Sequence, residues 1–171
     1  MKRHTSDGAD RLSAELALNS PDLLRYLQRR LDTDDAADAL AEVMMVAWRR
    51  VDALPTDSEP ARMWLFGIAR NVVANAARSE RRRWSLAERF RAVLEVAPTE
   101  GRPADEGIEV RDAIARLSPD QAELVRLVHW EGFSIADAGE ILGLTASTTR
   151  TRYQRARADL KAALSLHVDR F

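Results

Sequence analysis

Apolar residues recur at helical spacing in the first half of the chain and predict three helices. Ser20-Pro21-Asp22 predicts the start of the first, because a capping residue precedes a proline at the first helical position. The buried positions of this helix are expected to be Leu23, Leu27 and Leu31. Those of a second helix, over about 34–51, are Ala36, Leu40, Val43, Ala47 and Val51. Those of a third, over about 60–83, are Leu65, Ile68, Val72 and Ala76.

The second half of the chain predicts a separate helical block. Residues 95–107 have no apolar periodicity and contain prolines and glycines, which indicates a flexible linker. Ser118-Pro119-Asp120-Gln121 is a capping box with proline at the first helical position. We expect Trp130 and Phe133 in the core of this block, and likewise Trp48 and Trp64 in the core of the first. The pattern therefore predicts an all-α protein with two small helical domains.

Residues 133–157 predict two short helices joined by a glycine turn. Ser134 can cap the first helix together with Asp137. Gly139 is suited to a close helix crossing, and Gly143 to the left-handed turn that ends a helix. Thr145 or Ser147 can cap the second helix, which carries Arg150, Arg152, Arg155 and Arg157. This arrangement favours a helix that enters a DNA major groove. An ordinary helical hairpin with a solvated basic face is the alternative.

The distribution of charge supports nucleic-acid binding although the net charge is −1. Residues 31–59 carry eight acids against two arginines, whereas residues 62–92 carry eight arginines against two glutamates. Residues 145–161 carry five basic residues and one aspartate. Two cationic surfaces and one anionic surface predict two DNA contacts and one contact of a different kind, with a protein.

Composition excludes several other classes of function. The chain has no cysteine, and its histidines (His4, His129 and His167) lack metal-ligand spacing. Asp34, Asp35, Asp38 and Glu42 have no accompanying base, nucleophile or oxygen-rich turn, and no glycine-rich phosphate loop is present. No window approaches the roughly 18 apolar residues of a membrane span. We therefore expect a cytoplasmic protein that is not an enzyme and uses no metal, cofactor or small-molecule substrate.

Three segments resemble the sigma-70 family of RNA polymerase sigma factors. Residues 35–43 (DAADALAEV), with Ala47-Trp48, resemble region 2.2, and residues 64–71 (WLFGIARN) resemble the signature of regions 2.3 and 2.4. Residues 117–157 resemble region 4. Two such blocks and little else are typical of the extracytoplasmic-function (ECF) sigma factors. The resemblance implies a tail over 1–19, region 2 over 20–94, a linker over 95–107 and region 4 over 108–171.

The resemblance also assigns roles to residues. Region 2 is expected to bind the clamp of core RNA polymerase through Asp38, Ala41, Glu42 and Met45. Its third helix and the loop before it are expected to hold the minus-ten strand of promoter DNA, with a base captured by the loop and helix contacts from Arg70, Asn71, Asn75, Arg78 and Arg82. In region 4, the bases of the minus-thirty-five element are expected to meet Ala146, Ser147, Arg150, Thr151 and Gln154. The DNA backbone is expected to meet Arg152, Arg155 and Arg157.

The sequence departs from the family at four positions. Ala41 replaces a usual glutamine, Asn75 a common aspartate, Thr149 a usual valine or isoleucine, and Ala138 a usual isoleucine. The last two changes predict a marginally stable region 4.

The predicted function is therefore that of a sigma factor that binds core polymerase, directs it to a two-part promoter and promotes its melting. The resemblance also implies control by an anti-sigma factor wedged between the two domains. One alternative is a stand-alone helix-turn-helix regulator that binds duplex DNA directly. Another is a protein-interaction adaptor with a degenerate helix-turn-helix.

Overall fold

The computed structural model describes the backbone of residues 3–94 and 108–168, and the side chains of residues 7–79, 110 and 112–165. Across these described residues the secondary structure is helical, without a strand. The chain divides into two compact units, within residues 1–98 and 99–171. The predicted linker over 95–107 lies outside the described residues, as does the side chain of Arg82.

The described residues of the first unit form a bundle of three α-helices. They are α1 (Arg3–Gln28), α2 (Thr33–Arg49) and α3 (Ser58–Leu94), with a short 3₁₀ turn at Val51–Ala53. Each helix packs against the other two. The rings of Tyr26 and Phe66 pack edge to face with their centroids 5.3 Å apart, and this contact joins α1 to α3 in the core. The predicted stripes of α2 and α3 are largely confirmed, because Ala36, Val43, Ala47, Leu65, Ile68 and Val72 are buried.

The prediction of a tail over 1–19 was wrong, because α1 already begins at Arg3. Leu12 and Leu16 are buried and extend the apolar stripe of Leu23 and Leu27 towards the N-terminus. Ser20 and Pro21 lie inside this helix, and the Ser20 hydroxyl donates to the Leu16 carbonyl. The serine–proline pair therefore marks no helix start: burial of the preceding turns outweighs the single backbone hydrogen bond that a proline removes.

Two tryptophans predicted in the core are exposed instead. Trp48 is 44% exposed, because the buried face of α2 is formed by Ala36, Ala39, Val43 and Ala47 and the indole lies beside it. Trp130 is 39% exposed at the C-terminal end of a helix in the second unit, with the Arg126 guanidinium 6.0 Å from its ring. Trp64 is half-buried, and Phe133 is buried as predicted.

In the second unit, the part that the structure describes forms four α-helices. They are α4 (Ile108–Ala115), α5 (Pro119–His129), α6 (Ile135–Ile141) and α7 (Ala146–Val168). The last helix packs against all three others. One cluster of its core joins α4, α5 and α7 through Ile114, Ala122, Val125 and Ala156. The predicted capping box at Ser118 is confirmed: its hydroxyl accepts from the Gln121 backbone and its own backbone N–H donates to the Gln121 side chain.

Candidate nucleic-acid interface

Local hydrogen bonds fix the turn between α6 and α7. The Asp137 N–H donates to Ser134 Oγ at 3.1 Å, and the Ser134 N–H donates to Asp137 Oδ2 at 3.2 Å, so the predicted capping box is confirmed. Gly143 has a φ of 68° and ends α6 with the left-handed residue that its position predicted. Thr145 Oγ1 accepts from the Thr148 N–H at 3.3 Å and caps α7. The helix-turn-helix is therefore encoded by short-range contacts.

Gly139 and Thr149 set how closely α6 and α7 approach. A Cβ on Gly139 would lie 2.2 Å from Thr149 Oγ1 and 2.7 Å from Thr149 Cγ2, so only glycine fits there without movement. Thr149 is 1% exposed, and its hydroxyl donates to the Thr145 carbonyl at 2.9 Å. The predicted close crossing at Gly139 is confirmed, and the hydroxyl of Thr149 is satisfied inside the core.

The face of α7 that points away from the core is polar and basic. Thr149, Tyr153 and Ala156 are buried on its inner face. Seven of the eight residues predicted to contact DNA from this helix are exposed on the other side: Ala146, Ser147, Arg150, Thr151, Gln154, Arg155 and Arg157. Together they form the outer face of α7, which presents three guanidinium groups and four small or amide side chains suited to phosphates and base edges.

Arg152 differs from the other predicted DNA contacts on α7. It is half-buried, and its guanidinium forms an ion pair with Asp120 at the start of α5. Close by, Gln121 Nε2 donates to Asp159 Oδ2 at 3.5 Å. Both contacts join the start of α5 to α7. Arg152 therefore takes part in the contact between α5 and α7, whereas the arginines of the outer face of α7 are exposed.

A second polar surface lies on α3. Asn71, Asn75 and Arg78 are exposed along one face, and Arg70 is half-buried beside them. A Cβ on Gly67, one turn before Asn71, would meet no atom within 4 Å, so the surface is open there. Arg78 donates to the Asn75 side-chain oxygen, and this hydrogen bond orients the Asn75 amide. The four residues predicted for the minus-ten contact that lie within the described side chains thus share one region of α3.

The segment between α2 and α3 is short, and local backbone hydrogen bonds close its two ends. The 3₁₀ turn is closed by the Ala53 N–H to the Arg50 carbonyl at 2.8 Å, and the Ala61 N–H donates to the Asp57 carbonyl at 3.0 Å where α3 begins. Residues 54–57 lie between these two points, outside any helix, and Thr56 and Asp57 are exposed. We call residues 51–57 the α2–α3 loop. It stands at the N-terminal end of the polar face of α3.

The predicted polymerase-binding residues share an exposed face of α2. Asp38, Ala41, Glu42 and Met45 all face solvent, and Met45 is 57% exposed. The indole of Trp48, one turn further on, extends this face with a second large apolar side chain. Sequence reasoning missed Trp48 here because it placed the residue in the core. Two exposed apolar groups beside two carboxylates are suited to a protein partner with basic and apolar groups.

Two segments of the chain match models of known protein families. Residues 16–83 match the model of sigma-70 region 2, and residues 108–160 match that of sigma-70 region 4. The chain is also 33% identical over 154 residues to the ECF RNA polymerase sigma factor SigC of Mycobacterium tuberculosis, across 88% of this chain and 82% of SigC. This chain is an ECF sigma factor of the sigma-70 family.

Other relatives agree with this assignment. The sigma factor is 35% identical over 136 residues to EcfG of Rhodopseudomonas palustris, across 78% of this chain and 73% of EcfG. Among solved structures, it is similar to the sigma factor RpoE of Bartonella quintana in complex with the anti-sigma factor NepR, with a TM-score of 0.63 and 28% identity over 90% of this chain and 96% of RpoE. CnrH, in complex with the cytosolic domain of CnrY, shares the fold with a TM-score of 0.64 at 22% identity, over 95% of each chain.

The predicted function is confirmed: the sigma factor binds core RNA polymerase and directs it to promoter DNA. The alternative of a stand-alone helix-turn-helix regulator is not favoured. Sigma factors are generally DNA-binding regulators without enzymatic activity. Within the described residues, no three His, Cys, Asp or Glu side chains cluster as a metal site would require, and no helix is both long and apolar enough to cross a membrane.

Proposed function

We propose that the two units of this sigma factor divide promoter recognition between them. The second unit reads the minus-thirty-five element as duplex through the outer face of α7. The first unit holds the minus-ten strand through the polar face of α3 and the α2–α3 loop, and binds polymerase through the exposed face of α2. The observation that supports this proposal best is the outer face of α7, which exposes arginines and short polar side chains. The helix that carries them is capped by Thr145, and its exposed face has the side chains that a helix in a major groove needs.

We further propose that the chain acts in the cytoplasm and that its work is binding and strand capture, with no bond made or broken. Control by an anti-sigma factor belongs to the same proposal, since the similar RpoE of Bartonella quintana is bound to one. No residue of this chain is assigned to that contact.

In vitro transcription tests the proposal. Core polymerase with the full chain should start transcription at specific sites on genomic DNA, and core polymerase alone should not start there. The purified chain alone should bind promoter duplex weakly and gain sequence-specific binding with core polymerase. Tight, specific duplex binding by the chain alone, without site-specific transcription, would instead establish the stand-alone regulator.

Arg150→Ala should relax sequence preference in the upstream element. Arg150 is exposed on the outer face of α7, and a guanidinium that reads a base edge contributes discrimination at one position. We expect discrimination at one minus-thirty-five base pair to fall about tenfold, measured by transcription from templates with single substitutions in that element. Preference in the minus-ten element is the internal control. Unchanged discrimination throughout the upstream element would remove Arg150 from base contact.

Arg155→Ala and Arg152→Ala should differ in their dependence on salt. Loss of one phosphate contact by Arg155→Ala should lower the slope of log affinity against log salt by about one. Arg152 is engaged by Asp120, so Arg152→Ala should leave that slope unchanged and destabilise the second unit by up to about 1 kcal/mol, as expected for a partly exposed ion pair. Binding of holoenzyme to promoter DNA across a salt series measures both, and an equal drop in slope for the two variants would contradict the distinction.

A further inference from the structure

The N-terminal half of α1 contacts the α2–α3 loop through a hydrogen bond to its backbone. Arg11 Nη2 donates to the Pro55 carbonyl oxygen at 2.6 Å, across 44 positions of sequence. Pro55 lies in the part of the loop that no helix contains. A charged donor to a backbone carbonyl is among the stronger hydrogen bonds in proteins, so this contact restrains the loop where its own local bonds do not.

A second contact holds the far end of the loop. Ser58 Oγ, at the first residue of α3, donates to Glu15 Oε1 at 2.7 Å. The other carboxylate oxygen of Glu15 accepts from Asn19 Nδ2 at 3.2 Å, and Asn19 also donates to the Glu15 carbonyl at 2.8 Å. Asn19 is only 3% exposed, so its buried amide orients the Glu15 carboxylate. Glu15 is thereby held in place to receive the serine.

The helix that carries Arg11 and Glu15 is itself fixed. Leu12 and Leu16 follow them directly in sequence and are buried in the core of the first unit. Near the start of the loop, a Cβ on Gly8 would lie 3.6 Å from Val51 Cγ2, an ordinary packing distance. Three successive turns of α1 thus adjoin the beginning, middle and end of the loop, and their position is set by the core.

We infer that α1 is a positioning element for base capture, and that Arg11 and Glu15 fix the shape of the α2–α3 loop. The inference rests on the proposed function, in which this loop holds an unpaired base of the minus-ten strand. A pocket that discriminates bases must keep its geometry within about 0.5 Å, and an irregular loop needs outside support to do so. Arg11 and Glu15 provide that support without contacting DNA.

Transcription from a promoter library tests this role. Holoenzyme assembled from core polymerase and the full chain would transcribe templates with a fixed upstream element and a randomised minus-ten element. Each minus-ten variant would be linked to a barcode in the transcribed region, and the barcodes in the transcripts would be sequenced. Arg11→Ala and Glu15→Ala should each reduce base preference at one minus-ten position by about 3- to 10-fold, as expected for loss of one restraining hydrogen bond. Preference at the other minus-ten positions and in the upstream element should stay within about twofold of wild type.

Two exposed residues of the same helix provide matched controls. Arg25 pairs with Asp22 within α1, and Asp10 is exposed near its start. Arg25→Ala and Asp10→Ala remove the same kinds of side chain and should leave every base preference unchanged. Arg11→Lys keeps a cationic donor and should restore part of the lost preference. In a double-mutant cycle, Glu15→Ala combined with Ser58→Ala should cost no more than either change alone.

The outcomes separate this inference from the proposed function. If wild-type holoenzyme shows no preference within the minus-ten element, the proposed function fails. If wild type has such a preference and both Arg11→Ala and Glu15→Ala retain it, the inference is overturned. An equal loss of preference at all positions would also overturn it, because α1 would then act only on overall stability. Should Arg11→Ala fail to fold, Arg11→Lys and Ser58→Ala carry the same test with smaller changes.

Discussion

Leu12→Ala should lower the free energy of unfolding of the first unit by about 2–5 kcal/mol. Leu12 is fully buried, and α1 packs against both α2 and α3, so the truncated side chain leaves a cavity in the core of the first unit. A loss of this size is a large fraction of the stability of a small helical domain. The variant should therefore bind core polymerase poorly at physiological temperature, although it changes no residue assigned to that interface.

Leu18→Ala is the matched control for Leu12→Ala. It makes the same substitution on the same helix, but Leu18 is 69% exposed and should change stability by less than about 0.5 kcal/mol. Because the chain has two compact units, a single unfolding curve can mix two transitions. Hydrogen exchange of the α2 and α3 amides, read by mass spectrometry, reports on the first unit alone. Equal protection in the two variants would show that the start of α1 is not part of the core.

The part of α1 before Ser20 was missed by sequence reasoning for a physical reason. Its apolar stripe is interrupted by Asn19, and Ser20-Pro21 directly after it has the form of a helix start. In the folded chain the Asn19 amide is satisfied by Glu15, so a polar residue occupies a buried position at little cost. These hydrogen bonds of Asn19 depend on side-chain geometry in a helix that is already packed on its neighbours. The pattern of apolar residues in the sequence therefore does not predict them.

Features that depend on a few neighbouring residues were predicted correctly. The capping boxes at Ser118 and Ser134, and the left-handed turn at Gly143, each involve residues no more than about four apart. The exposed residues of α2 and α7 also follow from helical periodicity.

Contacts between helices were predicted less well. The ion pair of Arg152 with Asp120, 32 positions earlier in the chain, was not predicted. Trp48 was assigned to the core on hydrophobicity alone, whereas it extends the exposed face of α2. Both residues lie at the border of a helix face, where a small rotation of the helix decides whether a side chain is buried or exposed. Which side of that border a residue occupies depends on how the helices cross, and one helix's sequence does not specify the crossing.

Gly139→Ala should destabilise the second unit by about 3 kcal/mol, the upper part of the range for overpacked cores. The new methyl group would lie 2.2 Å from Thr149 Oγ1 and 2.9 Å from Thr149 Cβ. Thr149 cannot easily turn away, because it is buried and its hydroxyl is bonded to the Thr145 carbonyl. The helices must therefore separate, which tilts the outer face of α7. Hydrogen exchange of α6 and α7 amides measures the stability, and transcription dependent on the upstream element measures the function.

Gly67→Ala is the matched control for Gly139→Ala, with an effect of opposite sign. It places the same methyl group on a helix of the other unit, where no atom lies within 4 Å, so the helix-forming preference of alanine should stabilise the first unit by up to about 1 kcal/mol. Thr149→Ala added to Gly139→Ala removes the two closest atoms and leaves Thr149 Cβ at 2.9 Å. The double variant should therefore be less destabilised than the sum of the two single changes. Strict additivity would mean that Gly139 is required for some reason other than its approach to Thr149.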